Sequence, residues 1–206
     1  MAEPARTYRS PRRALQAHET RVAVLAAARA SFAEKGWAGT SIRDVAAAAG
    51  VSVETVYGSV GAKSALFAAA YDGAIAGDDD PTPIAERPAW RAMEAGATFE
   101  ERAGAAADLI AGIMQRSHQL ERTLREGAAS HPAMAALLAE DESNRRFDTR
   151  RGLAIVLQRP VSDEESDLFC AYTSPEVYDA LVVRWGWSPE RYRVQIVQWF
   201  IGMGAP

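Results

Sequence analysis

Apolar residues recur at three- and four-residue intervals along nearly the whole chain, the period of an α-helix and not of a strand. Val22, Leu25, Ala26 and Phe32 predict a long helix over Arg21–Lys35, with Gly36 placed as a left-handed C-terminal cap. Ile42, Val45 and Ala46 predict a second, short helix, and Val53, Val56 and Val60 a third. Gly61-Ala62-Lys63-Ser64-Ala65-Leu66-Phe67 opens a fourth. The run Asp78-Asp79-Asp80-Pro81-Thr82-Pro83 then breaks the pattern and reads as a linker. Pro88 can start a short helix holding Trp90 and Met93. Longer helices follow from Thr98 or Phe99 to Leu124 (Leu109, Ile110, Ile113, Met114) and from Met134 to Val156 (Leu137, Leu138, Phe147, Leu153). Ser162 with Glu165 is a capping box, and Ser174-Pro175 and Ser188-Pro189 each pair a cap with proline at the first helical position. No segment alternates with the period of a strand. The predicted fold is all-α, with about nine or ten helices.

The segment from Thr40 to Tyr57 is the most informative. Thr40 or Ser41 can cap the second helix through a hydroxyl, and Ser52 can cap the third, with Glu54 in its first turn where negative charge is favoured. Gly50 between them supplies the positive φ that a sharp inter-helix turn requires. Two short helices joined this way place a helix N-terminus where it can enter the major groove of DNA. Thr55, Tyr57 and Ser59 are left as outward hydrogen-bonding groups. Lys63 stands at a helix start, where the macrodipole disfavours a cation; a phosphate held there would explain it.

Charge sharpens this picture. The chain of 206 residues has a net charge of −4, which by itself argues against a nucleic-acid partner. Residues 1–63, however, hold nine basic side chains against five acids, and the remainder 14 against 22. A head of +4 on a body of −8 fits a DNA-reading domain attached to an acidic one. Residues 1–16, with Arg6, Arg9, Arg12 and Arg13, read as a flexible basic arm that either follows phosphates or merely solubilises. The single cysteine, Cys170, has no partner for an internal disulfide, which fits a cytoplasmic protein. The first thirty residues lack an apolar leader segment, and no window is apolar enough to span a membrane. His18, His118, His131 and Cys170 lack metal-ligand spacing, and no phosphate loop or nucleophile motif occurs, so neither a metal, a cofactor nor an enzyme is expected.

Between about Arg21 and Tyr71 the chain resembles the DNA-binding domain of the TetR family of bacterial transcriptional regulators. The resemblance is carried by Ala28, Phe32, Lys35-Gly36-Trp37, Thr40-Ser41-Ile42, Val45-Ala46, Ala49-Gly50-Val51-Ser52, Thr55-Val56-Tyr57, Lys63 and Leu66-Phe67, in order and at matching spacing. It covers about a quarter of the chain. It implies a three-helix helix-turn-helix domain over 17–76, a linker over 77–83, and a ligand-binding and dimerisation domain over 84–206. It also implies a homodimer on a palindromic operator of double-stranded DNA, acting as a repressor released by a small-molecule effector. The DNA-facing residues would be Thr40, Ser41, Arg43, Ser52, Val53, Glu54, Thr55, Tyr57, Ser59 and Lys63: Thr40, Tyr57 and Lys63 on phosphates, Val53, Glu54 and Thr55 nearest base edges.

Trp90, Met93, Phe99, Met114, Phe147, Tyr178, Trp185 and Trp187 are as a group the candidates for a ligand pocket, although any one of them taken singly reads more readily as core. Leu181, Val182, Ile196, Val197, Phe200 and Ile201 are those for a dimer interface. The chain departs from the family at Tyr57-Gly58-Ser59-Val60, where an aromatic pair and a larger core anchor are usual. Glycine inside a helix costs roughly 1 kcal/mol relative to alanine. A helical interaction protein that has lost DNA recognition is therefore the alternative reading.

Overall fold

The computed structural model describes residues 11–80 and 82–204. Among them there is no β-strand; the elements are α1 (Pro11–Gly39), α2 (Ile42–Ala49), α3 (Val53–Ser59), α4 (Lys63–Ala76), α5 (Pro88–Ala95), α6 (Phe99–Ala128), α7 (Pro132–Leu157), α8 (Asp163–Tyr172), α9 (Pro175–Tyr178) and α10 (Pro189–Gly202). A 3₁₀ turn, Ile84–Glu86, precedes α5, and a π-helical segment, Asp179–Arg184, continues α9. The chain forms two compact units, Met1–Ala70 and Tyr71–Pro206, so the division falls within α4.

In the first unit α1 begins at Pro11, so Pro11–Gln16, placed in the basic arm by sequence, is helical; residues 1–10 of that arm lie outside the described residues. Gly36 takes the expected positive φ (69°), but its ψ of −173° is extended: it is a kink that turns the chain toward α2. The core is built from Val24, Leu25, Ala28 and Phe32 of α1, Val45 and Ala46 of α2, Val56 of α3, and Leu66 and Phe67 of α4. Phe67 meets Phe32 edge to face at 5.0 Å, and Trp37 closes the aromatic triad at 6.0 and 6.1 Å, geometries that add to simple burial.

In the second unit the apolar stripes of α5, α6, α7 and α10 converge on Trp90, Met93, Met114, Leu153, Val156, Leu157, Tyr192, Ile196 and Phe200. The three cap motifs read from sequence all form. Ser162 Oγ accepts from Glu165 N at 3.2 Å, Ser174 Oγ from Val177 N at 3.3 Å and Ser188 Oγ from Arg191 N at 3.1 Å. The stretch expected as a loose linker is organised around a side chain that sequence did not single out. Arg87 is buried and pairs with Asp78 at 2.8 Å, while also donating to the carbonyls of Thr82 at 2.9 Å and Asp80 at 2.7 Å. Arg116 closes the C-terminus of α4 by donating to the Ala74 and Ile75 carbonyls, both at 3.0 Å, which would otherwise lack partners.

Candidate DNA-binding site

The helix-turn-helix is held by local bonds that its own residues supply. Ser41 caps α2 reciprocally: its Oγ accepts from Asp44 N at 3.1 Å and the Asp44 carboxylate accepts from Ser41 N at 3.2 Å. Those bonds hold the Asp44 carboxyl below its ordinary range, Ser41 being the main cause. Gly50 (φ 68°, ψ 30°) ends α2 in the left-handed conformation, and Val51 N donates back to Ala46 O at 3.0 Å. Ser52 then caps α3, accepting from Thr55 N at 3.1 Å, with the two hydroxyls 3.0 Å apart. The Glu54 carboxyl is pushed down by bonds from its own backbone N–H and from Ser52, so an ionised carboxylate sits in the first turn of α3.

Packing decides what the third helix presents. Val56 is buried, Val53 and Thr55 are half-buried, and Glu54, Tyr57 and Gly58 are exposed, Tyr57 to 53%. The far end of α3 is fixed by α1: Arg21 Nη1 donates to Ser59 O at 2.8 Å. This bond joins residues 38 apart, and nothing in the sequence signals it. Ser59 Oγ turns inward to Val56 O at 3.2 Å.

Two of the expected phosphate contacts are placed differently from the sequence reading. Thr40 is only 3% exposed, and its hydroxyl is shared between the carbonyls of Ser31 (3.0 Å) and Gly36 (2.9 Å). It stitches the α1 kink together and does not face outward. Lys63 is half-buried; its ammonium donates to the Trp37 carbonyl and lies 4.2 Å from the Trp37 ring centroid. A cation over that indole resolves the unfavourable placement at a helix start without requiring a phosphate. Ser41, Arg43 and Ser52 are exposed on the same short helices and their caps.

The residues proposed for a ligand pocket are not brought together. Trp90, Met93, Met114 and Tyr178 are buried in the second core, with Phe99 packed against it. Phe147 is 66% exposed and Trp185 67%, so neither lines an interior cavity. Phe147 lies nine residues before the buried Val156, half a revolution around α7 at 100° per residue, and therefore points the other way. Trp185 follows the π-helical segment, whose wider turn shifts the phase of the apolar positions. Trp187 carries the Arg191 guanidinium 3.9 Å above its ring. A surface cleft of about 540 Å³, lined by Glu94, Arg151, Ala154, Ile155, Gln158, Arg159 and Pro160, includes none of the eight. Of the interface candidates, Ile196 and Phe200 belong to the chain's own core, Leu181, Val182 and Val197 are half-buried, and Ile201 is exposed together with Leu168, Tyr172, Val183 and Val194.

Among the described residues no helix is long and apolar enough to cross a membrane, and no group of three or more His, Cys, Asp or Glu is placed to hold a metal ion.

Residues 24–70 match the family model of the bacterial regulatory proteins, tetR family. No curated protein matches the sequence. Solved structures share the fold over most of the chain. A transcriptional regulator from Rhodococcus sp. Rha1 is 19% identical, with 89% of this chain and 94% of that one covered at a TM-score of 0.62. A TetR family member from Streptomyces coelicolor A3 is 22% identical, with coverages of 88% and 98% and a TM-score of 0.58. The ketosteroid transcriptional regulator KstR2 of Mycobacterium tuberculosis is 19% identical, with coverages of 89% and 91% and a TM-score of 0.53. The capped helix-turn-helix of the first unit coincides with the match to the TetR family's bacterial regulatory proteins over residues 24–70, and the all-α fold of the chain is the one these solved structures share.

Proposed function

We propose that the protein is a cytoplasmic homodimeric repressor that binds a palindromic operator and leaves it when a small-molecule effector occupies the second unit. The observation that carries this reading is the presentation of α3. It is capped at one end by Ser52, clamped at the other by Arg21, buried through Val56, and exposed along Glu54, Tyr57 and Gly58. A short helix held this rigidly with its outer face bare is suited to the major groove. Tyr57 and Arg43 are the exposed groups suited to phosphates; Ser52, Val53, Glu54 and Thr55 stand nearest the base edges. The exposed apolar side chains Leu168, Tyr172, Val183, Trp185, Val194 and Ile201 support a dimer, since a monomer gains nothing from leaving them in water.

The test is footprinting of the full-length protein on DNA upstream of its own gene and on sequences selected from a random duplex library. Two protected half-sites about 10–10.5 base pairs apart, or a multiple of that, are expected for a two-fold dimer. Absence of any selected sequence would favour the alternative, a helical interaction protein that no longer reads DNA.

A further inference from the structure

The recognition helix carries a glycine that the fold does not use. Gly58 lies inside α3 with a right-handed φ, so the backbone has no need of glycine there. A Cβ built on it would meet nothing within 4 Å, so packing does not exclude a side chain either. Glycine nevertheless weakens a helix, both by the entropy it loses and by the exposed backbone it leaves. The chain retains it two residues from the buried Val56, about 200° around the helix, and one turn after Glu54. That is the outermost line of the helix. The structure also offsets the looseness a glycine brings: Arg21 donates to the very next carbonyl, Ser59 O, and the Ser59 hydroxyl returns to Val56 O. A bare stretch of backbone is thus held rigid beside the exposed Tyr57.

Building on the DNA-binding reading above, we propose that Gly58 is a close-approach position that determines specificity: its uncovered Cα admits a base-pair edge of the major groove to a distance that any side chain would prevent. The fit is steric, so it discriminates between sequences by the shape of the facing base pair, while Glu54 one turn away adds a hydrogen-bond acceptor. A phosphate at the same point would be bound alike in every sequence; the base edge is distinguished by its sequence dependence.

The experiment compares the full-length protein with Gly58→Ala on a duplex selected by the wild type from a random library and on an unrelated duplex of equal length. Melting is followed by circular dichroism. The expected result is a melting temperature unchanged or higher in the variant, affinity for the selected duplex lower by roughly tenfold, the scale of one mismatched base pair, and affinity for the unrelated duplex unchanged. Equal affinity of both proteins for the selected duplex overturns the proposal. So does an equal loss on both duplexes, which would assign the position to the phosphate backbone, and so does a lower melting temperature, which would make the glycine structural. A wild type that selects no sequence overturns this proposal and the repressor reading together, whereas the other outcomes leave the repressor reading standing.

Discussion

Asp141→Asn should stabilise the protein above neutral pH and have little effect near pH 4. Asp141 lies on α7 in a polar cluster of the second unit. Tyr71 of α4 donates its hydroxyl to Glu121 of α6, which is buried, and is within hydrogen-bonding reach of Asp141 as well. Arg125 of α6 pairs with Glu121 at 3.1 Å and with Glu142 of α7 at 3.2 Å; its Nε is 2.8 Å from Glu176 of α9 but is not aligned for a hydrogen bond. Burial, and then the Glu121 charge, push the Asp141 carboxyl up from 3.8 to about 6, against the smaller opposing pulls of Tyr71, Arg145 and Arg125.

The sign follows from proton linkage. Between about pH 4 and 6 the folded chain holds a proton at Asp141 that the unfolded chain has released, so this residue's contribution is full at low pH and is lost as pH rises through its folded value. Two pH units at 1.36 kcal/mol each set an upper bound of about 3 kcal/mol. Partial solvent access reduces this to about 1–2 kcal/mol. Asparagine keeps the acceptor for Tyr71 and carries no charge to bury. The measurement is the difference in unfolding free energy between variant and wild type in urea, from pH 4.5 to 8. Asp72 and Asp148, also raised by burial, are present in both proteins and cancel. Glu165, held down to about 2 chiefly by Arg159, loses its contribution only below pH 4.5, outside the window. A difference that stays flat across the window would refute the reasoning.

Lys63→Met separates two roles for that lysine. If its work is the Trp37 carbonyl and ring, the variant should lose about 1 kcal/mol of stability and leave the salt dependence of DNA binding unchanged. If it also holds a phosphate, the slope of log K against log salt should fall by about 0.9; equilibrium unfolding and a salt titration decide between them. Tyr192→Phe addresses the second core, where Tyr192 is fully buried and its hydroxyl has no hydrogen-bond partner among the described residues. Removing that oxygen should leave stability unchanged or raise it by about 1 kcal/mol; a comparable loss in chemical denaturation would show that the hydroxyl is satisfied after all.

The features legible in the sequence were those closed within one turn of chain. The caps at Ser41 and Ser52, the Gly50 turn, Ser162 with Glu165, and the Ser-Pro pairs all act over three or four residues, so spacing alone locates them. That Ser41 and not Thr40 is the cap, with Asp44 as its partner, is seen only in the structure. Gly36 breaks α1 where the sequence places a helix end, but as an extended kink and not as a left-handed cap, because its ψ is set by the path to α2. What the sequence could not supply was the rotational setting of each helix against its neighbours. Thr40 faces inward because α1 offers it two carbonyls, and Lys63 lies on Trp37 because α4 starts beside that turn. Phe147 faces water because α7 buries the opposite stripe, and Ile196 and Phe200 serve the chain's own core. Arg21 reaches Ser59 across 38 residues. Local periodicity determined that these segments are helices and where they start. Which side chains are covered depends on surfaces brought together from distant parts of the chain, and only the tertiary structure decided that.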